Sequence, residues 1–119
     1  MKKVLIIEDM PRFYQVYSED LDNEVLVLVA RDSESALSHL SANPDIAIIV
    51  MDACLKSEMP DTIDLTKEIR ALGYKGPMIA NSNSDKYNKL LMSAGCDLKN
   101  SYGSKDCIPE QVLALLKGN

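Results

Sequence analysis

Several common classes of small protein are excluded by what this chain lacks. Its three cysteines, Cys54, Cys96 and Cys107, form no CxxC pair and leave an odd number. Neither a disulfide framework nor a thiolate zinc site fits them. His39 is the one histidine and cannot build a metal site alone. Positive charge is in deficit, with 13 Lys+Arg against 18 Asp+Glu and a net charge of -5. That argues against a nucleic-acid-binding surface, which needs clustered cations to displace counterions. Long apolar runs are missing as well. Lys2-Lys3 precedes only Val4-Leu5-Ile6-Ile7 before Glu8 and Asp9, too short for a secretory signal or a membrane span. Repeats, low-complexity tracts and linkers are also missing. The expectation is a cytoplasmic protein with reduced thiols, in contact with neither membrane nor nucleic acid.

What remains is an ordinary globular composition, 46% apolar and 26% charged over 119 residues. This suits one domain, residues 1–119, with a single core. The chain is organised around Ile46-Ala47-Ile48-Ile49-Val50-Met51, an apolar run that follows Pro44 and stops on Asp52. So short a run, rich in β-branched residues and bounded by turn chemistry, reads as a parallel strand buried on both faces. Val4–Ile7 is a first apolar strand and Val25–Val29 a second, and Met78–Ala80 gives a shorter strand after Gly76-Pro77. A last strand around Leu98 is expected to be short, irregular and at a sheet edge.

Helical spacing fills the intervals. Pro11 opens a first helix with Phe13, Val16, Tyr17 and Leu21 at helical spacing. Asp32 or Ser33 caps a second with Ala36, Leu37 and Leu40 inward and His39 on the wet side. A third carries Leu65, Ile69 and Leu72 and ends at Gly73. Tyr87, Leu90, Leu91 and Ala94 mark a fourth, closed by Gly95. Pro109 opens the fifth, with Val112, Leu113 and Leu116 inward.

Five β/α pairs imply a parallel sheet with helices on both faces and right-handed crossovers. The matching architecture is the doubly wound, flavodoxin-like (βα)5 fold of strand order 2-1-3-4-5, whose switch point lies between strands 1 and 3. That topology brings Glu8 and Asp9 beside Asp52. Three acids at one strand-end cleft repel unless a cation sits among them. A hard divalent ion such as Mg²⁺ suits oxygen ligands of this kind. A carboxylate can also attack phosphorus to form an aspartyl phosphate. Ser82 after strand 4 and Lys105 after strand 5 supply the hydroxyl and the cation that such chemistry needs.

Taken in order, these pieces resemble a receiver domain of the two-component response regulators along nearly the whole chain. Val4-Leu5-Ile6-Ile7-Glu8-Asp9 resembles the first strand and acidic pair. Ile48-Ile49-Val50-Met51-Asp52 resembles the phosphoacceptor strand, and Pro77-Met78-Ile79-Ala80-Asn81-Ser82 the fourth strand with its terminal hydroxyl. Ala94-Gly95-Cys96-Asp97 is similar to the turn before the last strand. Tyr102-Gly103-Ser104-Lys105, with Pro109-Glu110, resembles the aromatic residue, the lysine and the last helix. The resemblance implies that Asp52 accepts a phosphoryl group from a histidine kinase or a histidine phosphotransfer protein. It implies Mg²⁺ held by Glu8, Asp9, Asp52 and the backbone carbonyl of Cys54. Lys105 would pair with the phosphoryl oxygens, and Ser82 and Tyr102 would form the switch. Such a chain is a phosphoacceptor and not an enzyme. With no effector domain after Asn119, output is expected through an unknown downstream protein.

Four departures stand out from the pattern. Lys56 replaces a proline four residues after Asp52, and Thr62 replaces a glycine at the end of a loop about two residues longer than expected. Asn83 replaces a small residue beside Ser82, and about three extra residues around Leu98-Lys99-Asn100 precede Tyr102. They keep a second reading open, a receiver-like interaction module independent of phosphorylation. A third, a small hydrolase or a flavin- or nucleotide-binding domain, ranks last. No phosphate-cradling glycine loop follows the first strand, and Cys54 stands where a phosphatase of this kind would carry a second acid.

Overall fold

The computed structural model describes residues 1–118. Apolar runs and helical spacing resolve into ten elements. They are β1 (Lys3–Ile7), α1 (Pro11–Leu21), β2 (Leu26–Ala30), α2 (Ser33–Ala42), β3 (Ile46–Met51), α3 (Ile63–Ala71), β4 (Met78–Ala80), α4 (Asp85–Ala94), β5 (Leu98–Lys99) and α5 (Ile108–Leu116). The strands form one parallel sheet in the order β2-β1-β3-β4-β5. This is the doubly wound arrangement expected from the alternation of elements.

Each face of the sheet has its own core, because successive side chains of a strand point opposite ways. Leu5, Ile7, Ile49, Met51, Met78 and Ala80 pack with Ala36, Leu65, Ile69 and Leu91 from α2, α3 and α4. Val4, Ile6, Ile48, Val50 and Ile79 pack with Tyr17, Leu21, Ile108 and Val112 from α1 and α5. The apolar run of β3 therefore has both faces covered. A strand buried on one face only would alternate with polar residues instead.

Register sets the level at which each strand ends. Ile7 lies opposite Met51, and Met51 opposite Ala80. Glu8, Asp52 and Asn81 therefore leave the sheet side by side. The ladder carries one step past the strands, with Asp52 N donating to Ile7 O at 3.0 Å and Asn81 N to Met51 O at 2.9 Å.

The structure corrects the helical faces in four places. Val16 is half-exposed, since the inward line of α1 runs through Phe13, Tyr17 and Leu21 at intervals of four. Leu72 lies past the end of α3 and is 70% exposed, while Gly73 takes the left-handed conformation (φ 100) that turns the chain. On α4 the inward position goes to Asn88 and not Leu90, which is exposed. His39 is half-buried, its Nε2 3.0 Å from the carbonyl of Val29, and is not on the wet side. Asp32 is the cap of α2, its carboxylate accepting from Ser35 N at 2.8 Å.

After the two residues of β5 the chain runs through two short 3-10 turns, Ser101–Gly103 and Lys105–Cys107. Tyr102 and Gly103 both take left-handed backbone conformations (φ 59 and 65). Such a conformation is easy for Gly103 and mildly strained for Tyr102.

Candidate functional site

The acids expected to meet do meet. One carboxylate oxygen from each of Glu8, Asp9 and Asp52 lies within 4.8 Å of the other two. The end of β1 supplies Glu8, which has no exposed surface, and the half-buried Asp9. The end of β3 supplies Asp52, buried but for a narrow opening. Lys105 arrives from the turn after β5, and its Nζ stands 2.6 Å from Glu8 Oε1 and 3.3 Å from Asp52 Oδ1.

One ammonium does not balance three carboxylates. Burial, then the neighbouring charge of Asp52, pushes Glu8 up to about 8, although Lys105 pulls the other way. Burial likewise raises Asp52 above the usual carboxylate range, opposed chiefly by Lys105. Glu8 Oε2 accepts from Met10 N at 3.2 Å. Its Oε1 is fully buried and faces the Lys105 ammonium at 2.6 Å. Three carboxylate oxygens this close, with two of the acids raised despite the ammonium, are the donor chemistry that a hard divalent cation takes. The residues therefore fit Mg²⁺.

Neighbouring elements frame the pocket. Thr62, fully buried at the start of α3, donates to Asp52 O at 2.7 Å and to Ala53 O at 3.2 Å. A glycine there could not fasten the loop in this way. Asp61 holds the same loop by accepting from Leu55 N and Lys56 N at 2.7 and 2.8 Å. Cys54 lies on that loop, two residues past Asp52, its thiol 3.7 Å from Glu58 O. Ser82 is buried at the end of β4, its Oγ accepting from Ser84 N at 3.0 Å. Asn83 is exposed, and its Oδ1 accepts from Lys105 N at 3.2 Å.

Tyr102 is not brought to this cluster. It stands 96% exposed on the 3-10 turn beyond β5.

Sequence reasoning missed a buried polar network behind Ser82. Asn88 Oδ1 accepts from Ser82 N at 2.9 Å, and its Nδ2 donates to Ser82 O at 2.9 Å and to Asn100 Oδ1 at 3.2 Å. Asn100 Nδ2 donates to Asn81 Oδ1 at 2.9 Å and to Ser82 O at 3.1 Å. Asn81 Nδ2 continues the chain to the hydroxyl of Tyr17 at 3.1 Å. Its one outward signal was asparagine at the ends of β4 and β5 and on the inward line of α4.

No protein-family model matches the chain, and no curated protein matches it. Solved structures do. The receiver domain of the Francisella response regulator 1452 is 24% identical, with 98% of each chain covered and a TM-score of 0.77. A two-component response regulator from Clostridium difficile is 21% identical over 99% of this chain and 98% of that one, with a TM-score of 0.80. The Vibrio cholerae chemotaxis protein CheY4 is 22% identical over 98% and 97%, with a TM-score of 0.77. Over its whole length the chain therefore has the fold of CheY-like response-regulator receiver domains.

Proposed function

We propose that this chain is a single receiver domain, residues 1–119, that takes a phosphoryl group on Asp52 from the phosphohistidine of a histidine kinase or a histidine phosphotransfer protein. The observation that carries this reading is the meeting of Asp52 with Glu8, Asp9 and Lys105 in one pocket at the carboxyl end of the sheet. Asp52 is recessed but not sealed, as a nucleophile that must meet another protein's side chain has to be.

In the step proposed, an Asp52 carboxylate oxygen forms a bond to phosphorus while the bond from phosphorus to the donor imidazole nitrogen breaks. The electron pair leaves with the imidazole, which departs neutral because its other ring nitrogen already carries a proton. Lys105, paired with Asp52 Oδ1 before transfer, would follow the new negative charge onto a phosphoryl oxygen. The Oγ of Ser82 accepts from Ser84 N, which leaves its hydroxyl proton to donate to another of those oxygens. Glu8, Asp9, Asp52 and the carbonyl of Cys54 would hold Mg²⁺. Bound there, the ion supplies positive charge shared between the acids and the transferring group. Ser82 and Tyr102 form the proposed switch, in which Tyr102 would leave its exposed position as Ser82 turns toward the phosphoryl group. The output is a contact with a downstream protein, and the place of work is the cytoplasm.

With Mg²⁺ and acetyl phosphate, intact-mass analysis should show one added phosphoryl group on the wild type and none on Asp52→Asn. A wild-type mass that stays constant across small donors and phosphohistidine proteins would sink the reading. One observation favours the phosphorylation-independent module instead, namely the grip of Asn88 and Asn100 on the backbone of Ser82. On that second reading, Mg²⁺ would leave the amide NMR signals of Glu8 and Asp52 unmoved.

A further inference from the structure

Lys105 reaches the acids by an irregular route. The sheet ends at Lys99, one 3-10 turn intervenes and Lys105 opens a second, so β5 does not aim the lysine. Helix α1 does. The buried hydroxyl of Tyr17 donates to the carbonyl of Lys105 at 2.5 Å and accepts from Asn81 Nδ2 at 3.1 Å. One turn earlier, the Phe13 ring lies against the lysine head group, with Nζ 4.2 Å from the ring centroid. The two rings are themselves 6.2 Å apart. Residues four apart share one helix face, so one face grips both ends of the same lysine.

A tyrosine needed only for bulk would gain nothing from a hydroxyl here, because a buried hydroxyl costs stability unless it is bonded. This one is bonded to the backbone of the residue that pairs with Asp52. A lysine ammonium is a mobile point charge on a flexible stem, and an aromatic face fixes it without consuming its donors.

We propose that Tyr17 and Phe13 are positioning residues for Lys105, Tyr17 fixing its backbone and Phe13 its ammonium, so that α1 sets where the cation meets a phosphoryl group on Asp52. The proposal rests on the phosphoacceptor reading above.

The test uses Tyr17→Phe, which keeps the ring, Phe13→Leu, which keeps apolar bulk, and Phe13→Tyr, which keeps the aromatic face. The first readout is the NMR signal of the Lys105 ε-methylene, identified by its loss in Lys105→Arg. In the wild type the Phe13 ring current should shift it upfield, since Nζ lies 4.2 Å from the ring centroid. It should move to the ordinary lysine position in Phe13→Leu, move in Tyr17→Phe, and stay upfield in Phe13→Tyr. The second readout is phosphoryl uptake from acetyl phosphate at saturating Mg²⁺. It should fall about tenfold in Tyr17→Phe and Phe13→Leu, the scale expected for a small misplacement of a reacting group, and recover in Phe13→Tyr. Mg²⁺ affinity, followed by amide shifts, should not weaken in any of them, because the carboxylates are untouched. An unchanged lysine signal in Phe13→Leu or Tyr17→Phe overturns the proposal, and so does a parallel loss of Mg²⁺ binding and uptake. Should the wild type take up no phosphoryl group, the functional reading fails, and the lysine signal alone then decides the positioning.

Discussion

At the scale of single residues, Glu8 carries the sharpest electrostatic conflict in the fold. It has no exposed surface, faces Asp52, and is pushed up to about 8 chiefly by burial. Below the ordinary carboxylate range the folded and unfolded chains both hold the proton, so Glu8→Gln should change stability little there. As pH climbs from that range toward about 8, the unfolded chain ionises first, and the glutamine variant should become progressively the more stable in urea when divalent cations are chelated. The same variant should lose most of the stabilisation that Mg²⁺ gives the wild type, since one ligand has become neutral. Urea midpoints at about pH 4 and about pH 9, with and without Mg²⁺, check both halves. If Glu8→Gln were clearly the weaker at pH 9 without metal, Glu8 would be an ionised partner of Lys105 and not a strained acid.

Single residues also show what the sequence could and could not announce. Asp52, Glu8 and Asp9 were legible because each ends an apolar run, and in a parallel sheet that position alone carries meaning. Lys105 was legible by resemblance, yet the clamp that holds it was not. Tyr17 and Phe13 read only as apolar members of a helical stripe, and nothing in a stripe distinguishes a ring that packs from a hydroxyl that bonds. The network of Asn81, Asn88 and Asn100 went unread for a related reason. Periodicity weighs apolar residues, and a buried amide counts against burial until its partners are known.

Among the elements, α3, α4 and β4 meet at one side chain. Arg70 donates from Nε to Gly95 O at 2.9 Å, and from Nη1 to Tyr74 O and Gly76 O, each at 2.9 Å. From Nη2 it donates to Asp97 Oδ2 at 2.7 Å. Asp97 in turn accepts from Met78 N at 2.9 Å, which fixes the start of β4. The planar fork serves several acceptors at once, which a lysine ammonium on a flexible stem cannot reproduce. Arg70→Lys should therefore cost about 1.5–3 kcal/mol, the range for hydrogen bonds to charged groups. Denaturant midpoints check it, and a loss below about 0.5 kcal/mol, ordinary for a surface substitution, would show that the three elements are held by apolar packing alone. The asparagine network ties β4, α4 and β5 at the other end of β4. Asn100→Leu should cost about 1–3 kcal/mol by removing the donor to Asn81 Oδ1 and one of the two acceptors of Asn88 Nδ2. In the same variant, the amide hydrogen of Ser82 should exchange faster than those of β1. Uniform acceleration along the chain would mean the network supports the whole fold and has no special hold on the β4–α4 loop.

Over the whole molecule, two groups of carboxylates pull stability in opposite directions with pH. Asp32, Asp45 and Asp85 are held below their ordinary value, mainly by hydrogen bonds from Ser35, Lys3 and Lys89 respectively. Their contribution is present above about pH 4 and is lost as pH falls through their lowered values. Glu8 and Asp52 are raised. For them the unfolded chain gives up its protons first, so their contribution is complete below the ordinary carboxylate range. It is lost as pH climbs toward about 8, the value that Glu8 reaches. Since the first three carboxylates lie on the surface, where ion pairs are worth little, the alkaline limb should dominate. Without divalent cations, resistance to urea should peak at about pH 5 and decline up to pH 9. A divalent cation at the acids reverses the argument on that limb, because it binds the ionised forms and releases their protons. The gain in urea midpoint from Mg²⁺ should therefore be small at pH 5 and grow steadily to pH 8. Midpoints measured across this range in chelator and in Mg²⁺ decide the matter. A chelated curve that rises from pH 5 to 8, or a Mg²⁺ gain independent of pH, would show that the strand-end acids are not the groups that set this protein's response to pH.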